Sequence, residues 1–326
     1  MDKSLSIFVA GHNGLVGSAM VRRLLALGYR RPLLRSRSEL DLTNQAAVAS
    51  FFDTEKPDVV LLAAAKVGGI EANNIQRADF IYQNLMIEAN VIHAAHRAGV
   101  QRLVFLGSNC IYPKVSEQPV KEEYLLTGAL EPTNEPYAIA KIAGVKLCES
   151  FNRQYGTRYL TAMPANMYGP GDNYDLATCH VLPALIRKVH EAKARGESEI
   201  VIWGTGKPRR EFMYSDDLAD ACICLAGLHN ESLDGLLAEP AGSLVNVGTG
   251  QDQTILSIAE RVCEVVGFDG RIVNDLSKPD GTHQKLLDTT RLDRLGWKPV
   301  IDLNEGLKLT YDAFREADRS SERRRL

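Results

Sequence analysis

Ser108 and Cys110 flank Asn109 in GSNCIYP, directly after the apolar run RLVFL, and Tyr137 and Lys141 stand four residues apart in EPYAIAKIAG. A hydroxyl and a thiol at the exit of a buried strand can face a ligand. Positions i and i+4 share one face of a helix. A phenol ordinarily titrates near ~10, so proton transfer at neutral pH needs a neighbouring cation to stabilise the phenolate, and Lys141 is placed to supply it. The same lysine can hold a nicotinamide ribose. Each feature alone has a plainer reading: YxxxK occurs on many helix surfaces, and a cysteine just beyond a strand is ordinarily a small inert core residue.

What lifts them is AGHNGLVG, where Gly11, Gly14 and Gly17 are spaced G-x-x-G-x-x-G between an apolar strand and an amphipathic helix. Glycines there permit a tight turn and close approach of a pyrophosphate, whose charge then sits on the free N–H groups of the helix start. The next strand ends in LLRSRSEL, with Arg35 and Arg37 where an NAD-preferring site carries an acidic residue for the ribose hydroxyls. Arginine suits a 2′-phosphate through bidentate charge-assisted contacts, so NADP(H) is the expected cofactor. The alternative is that these arginines are solvated loop charges.

The elements that must position these residues follow from the apolar pattern. LSIFVAG, PLLRS, DVVLLAAA and RLVFLGS read as strands with helix-length stretches between them. Their apolar runs lack polar alternation, which predicts burial on both faces, as in a parallel sheet covered by helices. The expected fold is α/β: a Rossmann-type doubly wound parallel sheet with a smaller C-terminal substrate-binding lobe. Residues 1–168 would form the NADP-binding domain, with returning segments around 212–230 and 243–262. Residues 169–211 and 270–326 would form the substrate lobe.

Composition excludes several classes. The 326 residues are 45% hydrophobic and carry a formal net charge of −3, which gives no electrostatic footprint for nucleic acid. RSSERRR near the end reads as a frayed, solvated tail. No charged leader followed by a long apolar stretch opens the chain, and nowhere do about 18 apolar residues run uninterrupted, so a cytoplasmic protein without a membrane partner is expected. The cysteines at 110, 148, 179, 222, 224 and 263 form no CxxC pair or metal spacing and should be free thiols.

Beyond these motifs, AAAKVGGIEANN, GSNCIYP, EPTNEPYAIAKIAG, YGPGDNYD, HVLPAL and PRREFMYSDDLA together resemble the GDP-L-fucose synthase family of the extended short-chain dehydrogenase/reductases. The similarity spans nearly the whole chain. It implies 3,5-epimerisation of a GDP-4-keto-6-deoxymannose followed by NADPH-dependent reduction at C4. A ketone at C4 acidifies the hydrogens on C3 and C5, so inverting those centres needs proton removal on one face and delivery on the other. Cys110 and His180 match the family's pair, with Cys110 expected as base and His180 as acid, although the sequence leaves their order open. Tyr137, helped by Ser108, would hold the C4 oxygen and then protonate it, with Lys141 beside it.

The resemblance further implies that Gly11, His12, Asn13, Gly14, Leu15, Val16 and Gly17 cradle the cofactor and that Arg35, Arg37, Asp41 and Leu42 surround its adenosine end. Leu106, Gly107, Ser108 and Asn109 would line it from one strand end. Pro164, Ala165, Asn166, Met167 and His180 would lie along the nicotinamide. Lys188, Trp203, Arg210, Asp280 and Lys285 fall where the family binds the GDP-sugar, Trp203 offering a stacking face. Asn13 departs from the arginine that members often carry there, leaving Arg37 more of the 2′-phosphate. A homodimer through helices around 80–98 and 137–155 is implied too. Two rivals keep the scaffold: an NAD-dependent nucleotide-sugar 4-epimerase or 4,6-dehydratase, and a catalytically silent NADP-sensing protein.

Overall fold

The structure, a computed structural model, describes residues 1–30, 32–278 and 280–323. Its centre is a six-stranded sheet built from β1 (Ile7–Ala10), β2 (Pro32–Leu33), β3 (Val59–Leu62), β4 (Arg102–Leu106), β5 (Arg158–Pro164) and β9 (Leu244–Val247) in the order β2-β1-β3-β4-β5-β9. Every pairing in it is parallel. β1, β3 and β9 are buried along their whole length, as expected for strands covered on both faces. The chain leaves β1 for β2 on one side and returns to β3 on the other. The crevice beyond the carboxyl ends of β1 and β3 is therefore the topological switch point where such sheets bind ligands.

The covering helices are α1 (Leu15–Ala26), α2 (Gln45–Glu55), α3 (Ile70–Ile75), α4 (Arg77–Arg97), α5 (Glu135–Tyr155) and α7 (Ser215–Ala226). Local signals fix their ends: Asn44 caps α2 by accepting a hydrogen bond from the N–H of Ala47 at 3.1 Å, and Gly156 stops α5 by turning left-handed at φ +68°. α1 packs against α7 on one face of the sheet and α4 against α5 on the other.

A second apolar cluster lies beyond the sheet. It gathers β6 (Asn166–Tyr168), β7 (Glu199–Trp203), β8 (Arg209–Tyr214), α6 (Val181–Arg195), α9 (Ile255–Val266) and α11 (Leu303–Arg323) around Tyr168, Leu185, Val189, Phe212, Val262 and Leu307. β10 (Asp252–Thr254) and β12 (Gln284–Lys285) pair with β8, and β11 (Arg271–Asp275) pairs with β7. Two short helices, α8 (Asn230–Ala238) and α10 (Thr290–Arg294), and 3-10 turns at Asn109–Ile111 and Glu122–Tyr124 complete the described elements.

The expected lobe boundaries are cut more finely than composition suggests. Within 243–262, β9 joins the sheet, but α9 buries Ile258, Ala259 and Val262 in the second cluster. Within 270–326, Leu287, Leu292 and Trp297 belong instead to the main core. β8 shows the physical reason, since successive side chains of a strand face opposite ways: Met213 enters the main core while Phe212 and Tyr214 enter the second. The tract expected to be frayed is helical to Arg323, with no Pro or Gly to stop α11, and residues 324–326 lie outside the described residues. Among the described residues no helix is long and apolar enough to cross a membrane.

Candidate active site

At the switch point, two of the three loop glycines are required by backbone geometry. Gly11 has φ +87°, and a Cβ on it would fall 2.7 Å from the backbone of Ala64. Gly17 lets α1 sit directly on the loop. Gly14 is different: a Cβ there would meet nothing closer than 3.5 Å, so its bareness leaves open surface at the start of α1. No side chain caps that helix, and its first N–H groups have no partner within the helix and carry the positive end of its dipole. The buried Nδ1 of His12 also lacks a partner. Bare backbone, free donors and an unpaired ring nitrogen fit the diphosphate of a dinucleotide.

The two arginines after β2 separate. Arg35 is spent on the fold: it pairs with Glu55 at 2.5 Å, donates to the carbonyl of Leu34 and covers the ring of Phe51. Among the described residues no ion pair engages Arg37, leaving its guanidinium available. Asp41 accepts from the N–H and hydroxyl of Thr43, which hold its carboxyl below the usual range, and Leu42 is fixed through a hydrogen bond from Asn90 to its carbonyl. Gly107 admits the terminal methyl of Met163, which would lie 2.3 Å from a Cβ at that position. Thus the ends of β4 and β5, which carry Leu106 to Asn109 and Pro164 to Met167, pack flush against each other.

Tyr137 enters on the first turn of α5, started by Pro136, and its ring meets the edge of Phe80 at 6.2 Å. Cys110 follows Ser108 on a single 3-10 turn and is 5% exposed. These three form one electrostatic group. Burial pushes the Cys110 thiol up, while hydrogen bonding from Ser108 and the charges of Lys285 and Lys141 pull it back. Burial also drives the Tyr137 phenol well above its ordinary range, reinforced by Cys110 and Glu88 and opposed by Ser108. Lys141 was expected to stabilise the phenolate and to hold the nicotinamide ribose. Its ammonium instead lies 3.0 Å from Glu88 and 3.0 Å from the carbonyl of Leu106, and 5.9 Å from the centre of the Tyr137 ring.

His180 precedes α6 at its N-terminus. Its carbonyl accepts from the N–H of Ala184, no hydrogen bond or ion pair engages its ring among the described residues, and burial lowers its pKa. The loop before it is held by Asp175, which accepts from the N–H of Ala177 and the hydroxyl of Thr178, and it leans on Gly69, where a Cβ would meet the Cys179 carbonyl at 3.0 Å. Lys285 lines a recess with Cys110, Lys114 and Glu131, and burial lowers its pKa. Arg210 donates to the carbonyls of Arg209 and Thr282, which aim it beside Lys285 on neighbouring strands. Trp203 is 63% exposed and flanked by the ammonium groups of Lys188 and Lys278. Asp280 accepts from the N–H and hydroxyl of Thr205, so it shapes the loop after β7.

Comparison with known proteins agrees with this geometry. Residues 7–239 match the model of the NAD dependent epimerase/dehydratase family. The chain belongs to that family. It is 55% identical to GDP-L-fucose synthase 1 of Arabidopsis thaliana, covering 96% of this chain and 94% of that one, and 55% identical to the GDP-L-fucose synthase of Escherichia coli, covering 95% and 96%. Among solved structures, the GDP-mannoheptose C4 reductase of Campylobacter jejuni with NADP bound superposes with a TM-score of 0.87 at 41% identity, covering 97% of this chain and 99% of that one.

Within this family member, the residue that sequence reasoning missed is Glu88, a carboxylate 1% exposed on α4. The signal that could have found it is Gly144, a glycine inside α5, where a Cβ would strike Phe105 at 2.4 Å and Glu88 Oε2 at 2.9 Å. Glu211 is a second unforeseen buried carboxylate. It accepts from the N–H groups of Thr249, Gly250 and Leu287, tying β8 to two loops behind the site.

Proposed function

We propose that this chain is a GDP-L-fucose synthase, which inverts C3 and C5 of GDP-4-keto-6-deoxymannose and reduces C4 with NADPH. The observation that carries this reading is the thiol: Cys110 shares one electrostatic group with Ser108, Tyr137 and Lys285, beside a cofactor crevice near Arg37, which among the described residues no ion pair engages. A 4-epimerase or dehydratase needs the phenol but no second proton-transfer group of this kind, and a silent NADP-binding protein needs neither.

In this reading Cys110, as thiolate, takes a proton from the carbon beside the ketone, and His180 returns one on the opposite face. Lys285 and Ser108 favour the thiolate against burial. Tyr137 and Ser108 donate to the C4 oxygen and stabilise the charge that develops there. Bound NADPH supplies the hydride to C4. Tyr137 gives its proton to the oxygen in that step. Gly14 and the start of α1 hold the diphosphate, Arg37 the 2′-phosphate, and Trp203 with Lys188, Arg210 and Lys285 the GDP moiety.

The test is incubation of the purified chain with GDP-4-keto-6-deoxymannose and NADPH, with product stereochemistry read by NMR. Conversion to the L-galacto configuration is expected. Tyr137→Phe should abolish NADPH oxidation, and Cys110→Ala should stop solvent deuterium entering the sugar while leaving NADPH binding intact. Epimerisation at full rate in the alanine variant would remove Cys110 from this role.

The same reading makes the chain a cytoplasmic homodimer through the outer face of α4 and α5. That face exposes Tyr82, Ile139 and Tyr155, the last stacked on His96 at 4.2 Å. Sedimentation equilibrium should give twice the chain mass, and a charge at Ile139 should halve it.

A further inference from the structure

Glu88 is a buried acid with no role in the chemistry described so far. It projects from α4 into the seam with α5, 1% exposed, and its Oε1 lies 3.0 Å from Lys141 Nζ, itself 2% exposed. Neither carboxylate oxygen makes a well-aligned hydrogen bond. Burying two opposite charges ordinarily costs about as much as their attraction returns, so an apolar pair would serve the packing at least as well. The seam is nevertheless shaped to admit this carboxylate, because Gly144 clears the space that Glu88 Oε2 and Phe105 occupy.

We propose that Glu88 is a positioning residue for the reduction: its buried carboxylate, paired with Lys141 across the seam of α4 and α5, keeps Tyr137 as the phenol, so the site meets the ketone already holding the proton that the C4 oxygen takes. The inference rests on the reductase reading above. In that step C4 accepts a hydride, the carbonyl oxygen accepts the phenolic proton, and Tyr137 is left as phenolate beside Lys141 until solvent reprotonates it.

The direction follows from the sign of one charge. A carboxylate favours the protonated form of every neighbour, whether that neighbour is a phenol or an ammonium. Tyr137 is raised by burial first and then by Cys110 and Glu88. Burial raises the Glu88 carboxyl, and the charge acting against that is Lys141. The surroundings are otherwise quiet. α5 brings Cys148 near Glu88, the turn after β4 brings Cys110 toward Tyr137, and β12 brings Lys285 toward Cys110. α2 and α3, which also pack on α4, contribute no charge that acts on Glu88. Lys141 is held besides by the Leu106 carbonyl and the face of Phe105 at 4.5 Å.

Glu88→Gln, nearly isosteric, tests this. Its alkaline limb for NADPH oxidation should move to lower pH by about one unit, while the rate at the acidic plateau stays within about threefold. The second readout needs no cofactor or substrate: tyrosinate absorption of Glu88→Gln, minus that of the same variant carrying Tyr137→Phe, should rise at lower pH than the corresponding wild-type difference. Glu88→Asp should restore most of both shifts. Unmoved limbs and an unmoved tyrosinate titration, with only a lowered Tm, would make Glu88 a packing residue and overturn the proposal. Should Glu88→Gln not fold, Glu88→Met, apolar and of similar length, carries the same two readouts, and an unmoved tyrosinate titration in it overturns the proposal. Failure of the wild type to consume NADPH with the keto-sugar would sink the reductase reading and leave the cofactor-free titration standing as its own answer.

Discussion

The carbonyl oxygen of Gly11 lies 2.0 Å from where a Cβ on Gly17 would stand, so α1 rests on its own loop with no room for a methyl group. Gly17→Ala sets two effects against each other. Alanine improves helix propensity by about 1 kcal/mol, whereas overpacking costs about 1–3 kcal/mol. The clash is with backbone that cannot rotate away, so overpacking wins. Lower Tm and at least tenfold weaker NADPH binding are expected, by thermal melts and fluorescence titration. Gly14→Ala, whose nearest contact is an ordinary 3.5 Å, should keep its Tm and lose binding alone. Equal behaviour of the two variants would refute this division.

Arg35 and Arg37 should behave oppositely although only Ser36 separates them. Arg35 is paired with Glu55 on a partly exposed surface, where such a pair contributes about 0–1 kcal/mol. Arg35→Ala should therefore leave NADPH affinity nearly unchanged. A charge-assisted contact is worth about 1.5–3 kcal/mol, so Arg37→Ser should weaken NADPH roughly 10- to 150-fold and NADH far less. Calorimetric titration with both cofactors distinguishes them. An unchanged preference in Arg37→Ser would assign the 2′-phosphate elsewhere.

These contrasts show where the sequence is informative. The glycine spacing, the strands and the Tyr137–Lys141 face are local patterns, and a local pattern survives folding; β1, β3, β4 and the helices after them stand where periodicity puts them. The fate of each charge is not local. Arg35 and Arg37 look equivalent until Glu55 is brought across from α2, and Lys141 looks free to serve the phenol until α4 delivers Glu88. Lobe membership is not local either, since Leu287, Leu292 and Trp297 are distant in sequence from the core they enter. Cys110 was legible only through resemblance, because a thiol after a strand is by itself an ordinary core residue.

Cys110 and Lys285 predict a pH profile. The thiol is raised by burial and lowered again by Ser108 and Lys285. Since the base is the thiolate, solvent exchange into the sugar should rise with pH through the thiol's elevated value. Removing a cation destabilises the thiolate, so Lys285→Met should displace that limb to still higher pH. Its weaker hold on the GDP-sugar appears separately, as a higher KM. Deuterium incorporation at saturating substrate checks the limb. A limb moving to lower pH in Lys285→Met would contradict the assignment of Cys110 as base.

Asp172, in the loop after β6, carries the last prediction. Burial lifts its carboxyl from 3.8 to about 7, opposed by the N–H of Asn173, and its Oδ2 has no partner. With the folded value above the unfolded one, its contribution is fully present below pH about 4 and is lost as pH rises toward 7, because over that window the unfolded chain releases a proton that the folded chain keeps. Asp172→Asn cannot ionise and should remove this slope. The difference in Tm between variant and wild type should therefore grow in favour of asparagine from pH 4 to 7 and level off above it. A difference that stays flat across the window would mean that the Asp172 carboxyl is ionised in the folded chain.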